Sequence, residues 1–150
     1  MDTLTKEQRH FVMSQIKSRD TKPELLVRSY LHKLGFRFRK NDKRLTGKPD
    51  LYFPRYYAVI FVNGCFWHGH RSCSKVRIPK TNTEYWTQKI ERNRERDKEE
   101  VKSLLDQGYR VGVVWECSIT GKNRAQKIQA LSESVALWLE EGFDQNYKEF

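Results

Sequence analysis

The chain has 150 residues, 37% of them hydrophobic and 13% aromatic, enough to fill one compact core and too apolar for a disordered polymer. Lysine and arginine total 29 against 19 acids, a net charge of +10, and a surplus of that size on a small body draws polyanions, nucleic acid first. The longest purely apolar run, 58–62, falls far short of the ~20 residues that cross a bilayer, and the polar start MDTLTKEQRH lacks the apolar stretch of a secretory signal, so a cytoplasmic protein without a membrane partner is expected.

In chain order, Lys6 to Ile16 reads as a short basic helix, with Phe11, Val12 and Ile16 apolar. A second helix is predicted over Lys22 to Leu34, where Val27, Tyr30, Leu31 and Leu34 share one face. Thr21 and Glu24 form a capping-box pattern at its start, and Gly35 stands where a C-cap belongs. Phe36 to Arg39 alternates apolar and basic, as a half-exposed strand does. Strands follow at Leu51 to Phe53 and Tyr57 to Val62, and 63–79 reads as irregular. A long helix over Asn82 to Gln107 carries Trp86, Ile90, Val101 and Leu105 on one stripe, with Asn93 and Asp97 on that same stripe. Val111 to Trp115 is another buried strand, and Ala125 to Glu140 a last helix. This order predicts an α/β fold, a mixed sheet flanked by helices. No repeat or linker divides the chain, so one domain is expected over 1–150, with a basic arm at 1–17 and a tail at 142–150.

Three cysteines, an odd number, argue against a disulfide framework and leave buried thiols or metal ligands as readings. Cys65, His68, His70 and Cys73 lie close together, and Cys117 ends a distant strand. Structural zinc takes four thiolate or imidazole ligands. Three cysteines and one histidine would supply them, although the spacing matches no standard zinc finger and cannot join Cys117 to the loop. If His70 is the ligand, His68 remains as a base near neutral pH. Asp50, after Pro49, offers a hard oxygen for Mg²⁺ or simply marks a turn. Glu24 is an acid with a capping role of its own. Phe66 and Trp67 are placed to wedge between or stack on bases, whereas Trp86 reads as core.

Together, SRDTKPE at 18–24, GKPDLYF at 47–53, VIFVNGCFWHGH at 59–70, TNTEYWTQKIERNRERD at 81–97 and GYRVGVVWEC at 108–117 resemble the very-short-patch repair (Vsr) endonucleases. The resemblance implies a restriction-endonuclease-like fold and a Mg²⁺-dependent nick 5′ of the thymine in a T·G mismatch. It implies Asp50 and Val62 at the Mg²⁺, His68 as the catalytic histidine, and Glu24 as the acid that holds metal-bound water. It gives Cys65, His70, Cys73 and Cys117 as ligands of a structural Zn²⁺. Phe66, Trp67 and Trp86 match the aromatic wedge, Met13 the side chain entering the minor groove, and Lys89 and Asn93 the contacts to the mispaired bases. Double-stranded DNA with a T·G mismatch is the implied partner, mismatch-repair proteins are further candidates, and the protein is expected as a monomer on the bacterial nucleoid. Asn63 stands where the family carries a second active-site histidine; it can donate a hydrogen bond but cannot shuttle a proton. The histidine-rich loop is reduced to HGHRSC, with one extra residue before Cys73. A related restriction-type nuclease with another DNA target, and a zinc-stabilised DNA-binding module without catalysis, are the rival readings.

Overall fold

A computed structural model of the chain describes residues 5–8, 20–71, 73–74 and 76–150. Residues 6–8 are helical, started by reciprocal bonds between the Thr5 and Gln8 main-chain N–H groups and each other's side chains at 2.9 and 3.1 Å. The rest of the predicted first helix, including Met13, lies outside the described residues.

Helix α1 spans Lys22–Lys33, with Pro23 in its first turn, where a missing N–H costs nothing. The Thr21 hydroxyl accepts from Glu24 N at 3.4 Å. Glu24 does not complete the expected box on Thr21; its Oε2 accepts instead from Asp20 N at 2.9 Å. The helix ends in a Schellman motif, Phe36 N bonding Leu31 O at 3.1 Å and Gly35 N bonding His32 O at 3.0 Å. Gly35 takes φ +98°, open to glycine at no steric cost. The buried face is Glu24, Val27, Arg28 and Leu31, while Leu34 is 50% exposed.

The predicted strand at Phe36 to Arg39 is shorter and later, β1 being Arg39–Lys40. Phe36 is used to close α1, and Phe36 and Phe38 both pack edge-on against Phe53. Strands β2 (Leu51–Phe53), β3 (Ala58–Asn63), β4 (Arg110–Trp115) and β5 (Tyr147–Glu149) complete one mixed sheet in the order β1-β2-β3-β4-β5. β1, β2 and β3 are antiparallel neighbours; β3, β4 and β5 run parallel. Residues 142–150, expected as a tail, thus carry an edge strand.

Helix α2 (Thr83–Asp106) joins β3 to β4, and α3 (Arg124–Glu141) joins β4 to β5. The strand period of two sends Ala58, Ile60 and Val62 to the face covered by α1 and α3, and Val59 and Phe61 to the face under α2. The first face holds most of the core, with Leu31, Phe53, Trp138 and Leu139 almost wholly buried. Each such side chain contributes about 1.5–3 kcal/mol. α2 buries only Ile90 and Leu104 among its 24 residues, so most of its charged surface faces water. No helix among the described residues is long and apolar enough to cross a membrane.

Candidate active site and metal centre

Parallel pairing of β3 and β4 sets Asn63 opposite Trp115. Two residues beyond each lie Cys65 and Cys117, which the register therefore brings side by side: Cys117 N donates to Cys65 Sγ at 3.4 Å. A turn then folds the chain back, with His70 N on Cys65 O at 2.9 Å and His68 N on Gly64 O at 3.2 Å. Gly69 makes this possible. It has φ +57°, and a Cβ there would meet Ile90 Cγ2 of α2 at 2.5 Å. The turn sets His70 Nδ1 at 3.6 Å from Cys65 Sγ and 3.5 Å from Cys117 Sγ, and the His70 ring stacks on Trp115 with centroids 4.0 Å apart.

Ligand atoms of Cys65, His70, Cys73 and Cys117 all lie within 4.8 Å of one another, a group that could hold one metal ion. Two sulfurs on a tetrahedral zinc stand about 3.8 Å apart, so the cluster is compatible with zinc. Burial pushes the Cys65 thiol up to about 12; a cation taking the thiolate would have to displace that proton. His68 is outside the cluster. Its Nδ1 lies 2.6 Å from Asp97 Oδ2, on α2.

The acids form a second group. Asp50, just before β2, accepts Val62 N on Oδ2 at 2.6 Å. Glu24 reaches it from the buried stripe of α1 and is only 4% exposed. Burial raises the Asp50 carboxyl to about 7; the charge of Glu24 and a hydrogen bond to it act the same way, against the Val62 N–H. Arg28 Nη2 bonds Glu24 Oε2 at 3.1 Å, and Nη1 bonds Asp20 Oδ1 at 2.6 Å. Buried Glu24 and half-buried Asp50 share this corner with one guanidinium. Such a negative surplus fits a divalent cation. Val62 can contribute only main chain, since its side chain is in the core.

Val62 and Asn63 are consecutive, so the end of β3 joins the acids to the histidine group. Asn63, 8% exposed, lines a cleft of about 970 Å³ together with His68, Asp97 and Trp115. Asp50 does not line it.

Phe66, Trp67 and Trp86 form one aromatic cluster, with centroids 5.3, 5.7 and 5.8 Å apart. Trp86 therefore leaves the stripe it shares with Ile90 and packs with the cysteine–histidine loop through Phe66 and Trp67. Tyr85 beside it is 52% exposed. Asn93 Nδ2 donates to Trp67 O at 2.7 Å, which ties α2 to the loop, and Lys89 lies half-buried on the same helix. Arg94 Nε ties the loop again through Gly69 O at 2.7 Å.

Local sequence pattern gives Asp97, Arg28 and Asp20 no role of their own. An acid on an apolar stripe, and a charged pair at the buried spacing of α1, were the available signals.

A basic chain with paired acids bonded to one end of β3 and an imidazole–carboxylate pair in the cleft beside it has groups suited to phosphodiester chemistry. A profile of the DNA mismatch endonuclease Vsr family matches residues 1–75. The chain is 51% identical to the type II nicking enzyme V.NmeAIP of Neisseria meningitidis serogroup A, over 81% of this chain and 86% of that one. It is 47% identical to the type II nicking enzyme V.XorIIP of Xanthomonas oryzae, over 79% and 87%, and 39% identical to the DNA mismatch endonuclease Vsr of Escherichia coli, over 92% and 87%. The chain belongs to the Vsr family of DNA mismatch endonucleases. It is accordingly a DNA endonuclease.

Proposed function

We propose that the protein nicks one strand of duplex DNA on the 5′ side of the thymine in a T·G mismatch, by Mg²⁺-dependent hydrolysis that leaves a 5′-phosphate and a 3′-hydroxyl. The observation that carries the reading is the division of two histidines: His70 faces three cysteines, whereas His68 is bonded to Asp97. A closed Cys₃His set leaves no open position on a structural zinc, and an imidazole outside it is available for proton transfer.

Asp50 and the Val62 main chain would hold Mg²⁺, and the ion, when bound, supplies positive charge where charge develops on the scissile phosphate. Glu24 orients the attacking water. Asp97 accepts Nδ1–H of His68, leaving Nε2 to take the proton of that water, and stabilises the imidazolium that results. Asn63, at the end of β3, donates a hydrogen bond but carries no proton.

Phe66, Trp67 and Trp86 would enter the stack beside the mispair, where unstacking costs less than at a normal pair. Asn93 spends one N–H on Trp67 O and keeps its carbonyl and second N–H for a base; Lys89 and Met13 are the remaining contacts. The protein works as a monomeric, single-domain cytoplasmic enzyme in this reading, with repair proteins as partners.

One nicking assay with Mg²⁺ tests this, using T·G, other mismatches and fully paired duplexes, alongside metal analysis. Expected are one zinc per chain and a cut 5′ of the mispaired thymine. Equal cutting of paired DNA, or an intact T·G duplex, would overturn the proposal. The names of the first two relatives mention nicking and no mismatch, so a nickase for another target is the second reading, and the same panel decides it.

A further inference from the structure

The buried stripe of α1 is half charged: Glu24 and Arg28 lie on it with Val27 and Leu31. Burying an ion pair is costly, and a hydrophobic pair of similar volume often serves stability as well or better. The geometry at this corner has a direction. Two donors to Glu24, Asp20 N at 2.9 Å and Arg28 Nη2 at 3.1 Å, fall on the same oxygen, Oε2. The carboxyl is thereby fixed in rotation, with Asp50 beside it. Arg28 is held in turn by Asp20 Oδ1 at 2.6 Å. Asp20 has φ +54°, in the left-handed region that aspartate enters more readily than most non-glycine residues.

We infer that Arg28 is a positioning residue of the active site: its guanidinium, clamped between Asp20 and Glu24, fixes the Glu24 carboxylate next to Asp50 so that the two acids face one divalent cation. The inference rests on the reading that Asp50 holds Mg²⁺ and that Glu24, beside it, holds water on that ion. Arg28 touches neither metal nor DNA in this account. It acts through Glu24, and its planar fork suits the task because one side chain must reach two carboxylates at once. A lysine would have to reach both from a single nitrogen, without the fixed spacing of the fork.

The test uses the full-length, zinc-loaded chain and two readouts, the Mg²⁺ concentration for half-maximal nicking and the affinity for Mn²⁺ alone by calorimetry. Arg28→Met should weaken both by about 10- to 100-fold, as loss of a group supporting a metal ligand does, with the nicking rate at saturating Mg²⁺ changed far less. Arg28→Lys should recover part of the loss. In a Glu24→Gln background, Arg28→Met should have no further effect on metal affinity, because its target is already gone. Unchanged metal affinity in folded Arg28→Met, or an undiminished effect in the Glu24→Gln background, overturns the inference. If Arg28→Met does not fold, Asp20→Asn and Arg28→Lys decide on the same readouts, with wild-type affinity in both counting against it. A wild-type chain that nicks without divalent ions would instead overturn the Mg²⁺ reading itself.

Discussion

His68 Nδ1 and Asp97 Oδ2 stand 2.6 Å apart, although 29 residues separate them. An imidazole held at Nδ1 by a carboxylate has one tautomer and one free edge. Asp97→Asn keeps the shape but loses the charge, so nicking should slow roughly 10²–10⁴-fold with DNA affinity unchanged. Single-turnover kinetics and a binding titration check this. A wild-type rate in the variant would remove Asp97 from the mechanism.

Asp50 links activity to pH. Its folded carboxyl is raised from 3.8 to about 7, first by burial and then by Glu24. A raised acid favours the folded state most below its unfolded value, and that advantage is lost as pH rises through the folded one. Without Mg²⁺, the stability of the wild type relative to Asp50→Asn should therefore fall between about pH 4 and 7. Protons and Mg²⁺ compete for the same oxygens, so more Mg²⁺ should be needed below pH 7. Melting curves and Mg²⁺ titrations across that range measure both; a flat difference would refute the linkage.

Asp50→Ala should abolish nicking and leave the zinc content at the wild-type value. Loss of zinc in that variant would show that the two groups are not separate sites.

Removing the metal from Cys65, His70, Cys73 and Cys117 should release the loop that carries His68, Phe66 and Trp67. Chelator treatment, or Cys117→Ser, is expected to lower the melting temperature and stop nicking together. Cobalt in place of zinc should show the visible absorption of a tetrahedral thiolate site. Activity that survives complete loss of metal would contradict a structural role.

Arg110 supports the fold far from the site. Its guanidinium donates to the carbonyls of Trp138, Leu139 and Gly142 at the end of α3 and covers the Trp138 ring at 4.5 Å. Charged donors at a helix C-terminus satisfy carbonyls that have no partner within the helix. Arg110→Met should cost about 2–4 kcal/mol of stability and leave the nicking rate unchanged below its melting temperature, as denaturant titration and an assay at low temperature can verify.

Much of this protein was legible in its residues taken alone. The Thr21 cap and Gly35 stop of α1, the apolar runs of β2, β3 and β4, and the soft ligands gathered between 65 and 73 are local patterns, each set by chemistry within a few positions. They misled where one residue has two uses: Phe36 alternates like a strand residue but closes α1, and Trp86 continues a helical stripe yet packs on a loop. Composition and local pattern set out the available groups: three thiols, a spare imidazole and the acids Glu24 and Asp50. Which of them meet is a matter of long-range packing. Cys117 joins the loop because β3 and β4 pair in parallel, and His68 faces Asp97 because α2 crosses back over the sheet. Local pattern constrains neighbours along the chain, whereas partners 29 or 52 residues apart are fixed by strand register and helix packing.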